Sequence, residues 1–384
     1  MKANSRIPEL DGFRAILIFV VSWYHIWQQS WLTPSIGSIY LDFFVRTGYM
    51  WVDGAVLLSA FLLFLPWARA KRDGTPLPDR IGFYKRRALR VLPSYYFLLL
   101  AVLFAVVLPY GLYTRPQFAV KDLFTHFTFT FTFWADTYLS TPLGVACWTL
   151  AIEVQAYLLF PWIAKAAVKH PARTLIGLAA AGWAFRGWCL WSLTDVNLVL
   201  NQLPSFLDVY ALGMLCAFLY VRLERLSWKG TAGVLGRIIA TLCAVIGVIL
   251  LINLLKLQAR SGDNTTLQRN QMIRRLPLAC IFSLIMVSLP FMLKPFRLLF
   301  GNPVMRFLGG ISMNYYLIHQ TVAVHLKRMG IPYSESELPN QTGDINWQFS
   351  YTWLAFGLSL ALAIAVTYGI EKPAAKYLRK RWKV

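Results

Sequence analysis

Residues 10–25 read LDGFRAILIFVVSWYH, and the fold turns on how so apolar a stretch accommodates Arg14 and His25. On an α-helix their eleven-residue spacing is about 1100° of rotation, so both side chains project within roughly 20° of one direction. The same spacing separates them by about 16 Å along the axis, around half of a hydrocarbon core ~30 Å thick. A helix able to enter a bilayer therefore carries a line of polar groups down one face.

Composition points the same way. Of 384 residues, 57% are hydrophobic and 15% aromatic, and only 14% are charged, against about 25% in an ordinary soluble domain. The net charge of +21 invites a nucleic-acid reading, but such a binder presents its cations on one solvated face. Here they gather in short stretches between apolar runs, as the positive-inside rule requires. Nucleic acid is therefore not expected as a partner, and the lipid bilayer is. Cys147, Cys189, Cys216, Cys243 and Cys280 are widely spaced within or beside apolar runs, so neither a disulfide framework nor a metal site follows. No small-residue cleavage site ends the first apolar run, which is read as a retained span rather than a removed signal peptide.

Apolar runs near membrane-crossing length begin at about residues 13, 47, 91, 148, 174, 202, 238, 276, 307 and 350. The basic stretches test that count. Lys2 and Arg6 precede the first run, and Arg69, Lys71, Arg72, Arg80, Lys85, Arg86, Arg87 and Arg90 lie between the second and third. Others follow the fourth, sixth and eighth, and KYLRKRWKV closes the chain. The expectation is an all-α polytopic protein of about ten transmembrane helices, both termini cytoplasmic, forming one domain over residues 1–384 in the cell membrane.

Two stretches resist this scheme. The connection Lys256–Arg275 should face outside, yet it holds Lys256, Arg260, Arg269, Arg274 and Arg275. Residues 114–140 contain FTFTFTF, a strand period, but a strand edge cannot face lipid. An interfacial or re-entrant helix is expected there. The later loop 331–348 has acids and no Lys or Arg, which suits either an external acceptor site or a merely solvated loop.

An ionisable side chain inside a span costs about 2.5–3.5 kcal/mol on insertion scales, so each needs a partner, a cavity or a chemical task. For His25 and His319 the choice lies between hydrogen-bonded glue between helices and acid–base chemistry. For Glu153 it lies between a protonated packing group and a charge at a reaction centre. Arg14 is either a snorkelling anchor paired with Asp11 or part of the polar line. Asp53 either caps the start of its span or binds substrate. Arg186 and Asp208 have each other as candidate partners. Arg86, Arg87 and Arg90 fall within about one helical turn. Their forked donors suit either a polyphosphate or acidic lipid headgroups.

Five stretches in this order resemble the acyltransferase-3 family of integral membrane acyltransferases: LDGFRAILIFVVSWYH, WVDGAVLLSAF, FYKRRALRVLPSYYF, CWTLAIEVQAYLLFP and GGISMNYYLIHQ. The likeness runs from Leu10 to about Pro373. It departs at Ala15 where Gly is usual, at Ser59-Ala60 where Ser-Gly is usual, and at Ala156 where an aromatic is common; these touch packing more than chemistry. The resemblance implies transfer of an acyl group, most often acetyl, from cytoplasmic acyl-CoA to a hydroxyl of a sugar, cell-surface glycan or related acceptor. It needs no metal. A hydrolase-like domain fused in some members has no counterpart here, so transfer is expected to finish within this domain.

The resemblance implies that Arg86, Arg87 and Arg90, with Arg14, hold the acyl-CoA donor. His25 is the expected general base and Glu153 the carboxylate that orients or stabilises its imidazole. His319 and Tyr316 are expected at the acceptor or oxyanion, and Asp53 is a further substrate-binding candidate. The competing reading is a transporter or flippase for a polar or glycolipid substrate, since membrane histidines and carboxylates also build substrate paths.

Overall fold

The computed structural model describes residues 6–144 and 147–382; Lys2 and Lys383, from the first and last basic stretches, lie outside them. The described residues form ten helices of 17 residues or more: α1 Pro8–Ser30, α2 Trp51–Asp73, α3 Arg80–Val102, α4 Trp148–Lys169, α5 Pro171–Ser192, α6 Leu207–Leu223, α7 Gly230–Ala259, α8 Asn264–Ser288, α9 Pro303–Arg328 and α10 Ile345–Val366. A final helix, α11, covers Lys372–Trp382. Each apolar run of the sequence coincides with one long helix.

Seven segments among the described residues are long and apolar enough to cross a membrane, against the ten expected. The helices left out are α1, α5 and α9. They carry Arg14 and His25, Arg186, and Asn314 and His319, and such polar and ionisable side chains lower mean hydropathy over any window that contains them. The protein is thus all-α and polytopic.

Helix α7 shows why lipid is the solvent. Its inward positions include Thr241, Ala244, Gly247, Leu251 and Gln258, at helical spacing. Its outward ones include Leu242, Ile246 and Ile249, each half exposed or more. Small and polar residues inside with large aliphatics outside invert the soluble pattern and match helices packed in a bilayer.

The chain divides into two compact units. The first takes the N-terminal residues through Leu17, Met50–Arg80 and Glu153–Gly310. Here α2 and α6 approach closely because Gly213 has no side chain; a Cβ there would lie 2.7 Å from the Leu57 carbonyl oxygen. Among its described residues, buried charges meet partners. Arg186 donates to both oxygens of Asp208, at 2.7 and 2.5 Å. Arg275, fully buried, stands 3.4 Å from Asp53 and donates to the Leu200 carbonyl at 2.8 Å and the Ser205 hydroxyl at 2.5 Å. Arg297 holds Glu9 at 2.7 Å.

This network explains the connection that broke the charge rule. Helix α7 runs to Ala259 and α8 starts at Asn264, so most of Lys256–Arg275 is helix rather than loop. Arg269 donates to the carbonyls of Leu190 and Leu193 at the end of α5, at 2.5 and 2.6 Å. Arg274 reaches Gln258 and Ser261. These arginines satisfy carbonyls and carboxylates inside the fold, and a cation so engaged reports packing instead of sidedness.

The second unit comprises Ile18–Tyr49, Ile81–Ile152 and Ile311–Val384. Its core joins Ile26, Tyr315, Ile318, Val322, Tyr351 and Ala355, with Phe19 stacked on Tyr315 at 4.3 Å. Asp344 caps α10 by accepting from the amides of Asn346 and Trp347, and the Tyr351 hydroxyl donates to the Ala323 carbonyl. The expected helix occupies Pro116–Phe127 and stops where the alternating FTFTFTF begins; residues 127–133 then form a turn, left-handed at Phe129, and one 3-10 turn over Phe131–Phe133. Asp122 ties the segment down, accepting from the Tyr113 and Thr141 hydroxyls at 2.8 Å each.

Candidate functional site

Within the second unit, the later halves of α1 and α9 bring two imidazoles together. The ring centroids of His25 and His319 are 5.3 Å apart with an interplanar angle of 42°. The Tyr316 ring is 5.6 Å from that of His319, and Tyr24 lies 5.1 Å from His25.

The hydrogen bonds fix how each ring is used. His25 Nδ1 is 3.0 Å from Gln28 Oε1, while Gln28 Nε2 donates to the Tyr24 hydroxyl at 3.0 Å. An amide oxygen only accepts, so His25 donates from Nδ1 and keeps a lone pair on Nε2. His319 Nδ1 is 2.7 Å from the Tyr316 carbonyl and 3.3 Å from that of Tyr315. Carbonyls also only accept, so neutral His319 has its lone pair on Nε2, an atom that is buried without a hydrogen-bond partner. Two ring nitrogens that carry lone pairs thus sit in one neighbourhood, an arrangement able to accept a proton from a hydroxyl. The expected oxyanion donation by His319 requires its protonated form, because the neutral tautomer offers no free N–H.

The orienting group for His25 is Gln28, three residues along the same helix face, which sequence reasoning missed. Its signal was present: Tyr24, His25 and Gln28 fall at i, i+1 and i+4. Glu153, expected in that orienting role, falls in the first unit, where it accepts from the Tyr157 hydroxyl at 2.8 Å.

The same unit contains an open cleft of about 790 Å³ lined by Arg86, Arg87 and Arg90 of α3. Cationic side chains of α11 and the carboxylate of Glu371 complete it. Its volume falls within the range of about 300–1,000 Å³ usual for small-molecule sites. Glu371 Oε2 accepts from Asn314 Nδ2 at 2.6 Å, and the same amide donates to the Thr367 hydroxyl at 2.7 Å. Thr367 and Glu371 bound a π-helical turn between α10 and α11, a wide turn that often accompanies functional sites. Asn314 precedes His319 by five residues on α9, a rise of about 7.5 Å. One helix therefore runs from the cleft's carboxylate to the imidazole pair.

Other sequence candidates belong to the first unit. Arg14 stands 3.8 Å from Asp11, which also accepts from Arg6 at 2.5 Å, so the anchoring pair weighed for it exists. Asp53 faces Arg275 inside the protein, is 1% exposed, and its carboxylate is engaged in an internal ion pair. Among the described residues, no three His, Cys, Asp or Glu side chains gather as a metal site would need.

The chain is 31% identical over 169 residues to the protein named O-acetyltransferase OatA of Staphylococcus aureus, covering 41% of this chain and 24% of that one. It is 29% identical over 198 residues to the peptidoglycan O-acetyltransferase OatA of Listeria monocytogenes, covering 46% and 28%. The chain thus spans about a quarter of the length of the curated relatives it matches. No solved structure matches it. A family model described as an acyltransferase domain covers residues 7–371, nearly all of the sequence, and the chain belongs to that family, acyltransferase-3.

Proposed function

We propose that this protein is a membrane O-acyltransferase that moves an acetyl group from cytoplasmic acetyl-CoA to a sugar hydroxyl of a cell-surface glycan. The observation that carries this reading is the paired imidazoles of His25 and His319 in the same compact unit as the arginine-lined cleft. The names of the relatives support both the acetyl group and a peptidoglycan-like acceptor.

In the proposed reaction, Arg86, Arg87 and Arg90 hold the donor's diphosphate. His25, kept in its Nδ1–H tautomer by Gln28, takes the acceptor hydroxyl proton on Nε2. The acceptor oxygen attacks the thioester carbonyl, the carbon–sulfur bond breaks, and the imidazolium returns the proton to the leaving thiolate. General-base catalysis of this kind is typically worth about 10²- to 10⁴-fold. His319 Nε2 accepts a second hydrogen bond from the acceptor, with Tyr316 beside it. Glu153, held by Tyr157, remains the second catalytic candidate on the family resemblance, and Arg14 the outlying donor-binding one.

The test is transfer by the purified protein in nanodiscs, with radiolabelled acetyl-CoA and glycan fragments bearing free hydroxyls. Label in the glycan supports the reading. Label that appears only as free acetate, or glycan that crosses the bilayer unmodified, removes it.

A further inference from the structure

The arginines of α3 form only one wall of the cleft. The other is the terminal helix α11, which contributes Lys372, Lys376, Arg379 and Lys380 to the lining. Their spacing of i, i+4, i+7 and i+8 gathers the four on an arc of about 100°. Arg381, about 100° from the nearest of them, is not part of the lining. Helix α11 is held in register by Lys85 of α3, whose Nζ donates to the Trp382 carbonyl at 2.9 Å. A hydrogen bond at the last turn of α11 thus joins the two walls.

This is more positive charge than a diphosphate needs. Three guanidinium groups already offer a diphosphate its forked donors; four further cations on an opposing helix suit an anion with a second, separated phosphate. Lysines, as flexible point charges, suit a phosphomonoester better than a fixed bidentate geometry.

We propose that α11 is the specificity element of the donor site: Lys376, Arg379 and Lys380 bind the 3′-phosphate that distinguishes CoA from its dephosphorylated form. The inference rests on the acyl-CoA reading above and extends it to a second set of residues. Acidic lipid headgroups offer the same phosphate chemistry, and the test separates the two sources.

Full-length protein in nanodiscs of zwitterionic lipid is titrated with CoA and with 3′-dephospho-CoA, the latter lacking only that phosphate. Charge-assisted hydrogen bonds of this type correspond to about tenfold or more in affinity. Wild-type protein should therefore prefer CoA by at least about tenfold. The variant Lys376→Gln/Arg379→Gln/Lys380→Gln should bind both ligands alike, near the wild-type affinity for dephospho-CoA. The charge-keeping variant Lys376→Arg/Lys380→Arg should retain the preference, which separates charge from folding. A neutralised variant that still prefers CoA overturns the inference while leaving the donor reading intact, and is what headgroup anchoring by α11 predicts. Wild-type protein that binds neither ligand overturns the donor reading, and the inference with it.

Discussion

The imidazole rings of His25 and His319 lie 5.3 Å apart, on helices separated by nearly 300 residues of sequence, with both Nδ1 atoms already committed to acceptors. Each neutral ring therefore carries its lone pair on Nε2.

Replacing the proposed base, His25→Ala, is expected to lower acetyl transfer by at least about 10²-fold, with insertion and thermal stability close to wild type. Turnover of labelled acetyl-CoA in nanodiscs, with a melting curve on the same sample, reads both; activity near wild type excludes His25 as base.

Groups that hold the same acceptor at one reaction centre are not independent. His319→Ala combined with His25→Ala should cost little more than His25→Ala alone, because members of one catalytic unit are strongly non-additive. A double-mutant cycle on kcat/KM measures this, and strictly additive losses would place the two rings in separate roles.

In the proposed mechanism Gln28 positions the His25 ring. Gln28→Ala frees His25 to choose its tautomer and is expected to lower kcat by about 10- to 100-fold, as for other groups that orient a functional histidine, with KM for the acceptor little changed. Gln28→Glu keeps an acceptor opposite Nδ1 and should recover most of the rate. Equal loss in both variants would point to packing instead.

For the cleft, Arg86→Gln/Arg90→Gln is expected to raise KM for acetyl-CoA by about tenfold or more, since each lost phosphate contact is a charge-assisted hydrogen bond. The wild-type KM should also rise with ionic strength, because exposed charges are screened over about 8–10 Å. A KM that ignores both changes removes these arginines from donor binding.

The first unit offers a stability test. Arg275→Met leaves Asp53 buried without its partner, a change that typically costs about 3–5 kcal/mol; Asp53→Leu/Arg275→Met removes both charges and should recover much of that loss. Thermal unfolding in detergent compares them. If the double variant is no more stable than the single one, the pair contributes through shape and not charge.

Much of this protein is readable in its sequence. Helical spacing placed Arg14 and His25 on one face, the apolar runs anticipated each long helix, and the greasy FTFTFTF stretch could not be an exposed strand because lipid leaves a strand edge unsatisfied. Arg186 and Asp208, each expensive alone in a bilayer, found each other as their chemistry requires. Lys256–Arg275 departs from the charge rule because charge counting assumes that cations stand free at a membrane surface, and Arg269, Arg274 and Arg275 instead engage carbonyls, a carboxylate and polar side chains.

Sequence alone determined that the chain is a helical membrane protein with ionisable groups inside its spans, since hydrophobic periodicity and the cost of buried charge are local properties written residue by residue. Only the tertiary structure decided which of those groups meet. His25 beside His319, and α11 across from Arg86 and Arg90, are contacts that depend on how separate helices pack, and no spacing along a single helix encodes them.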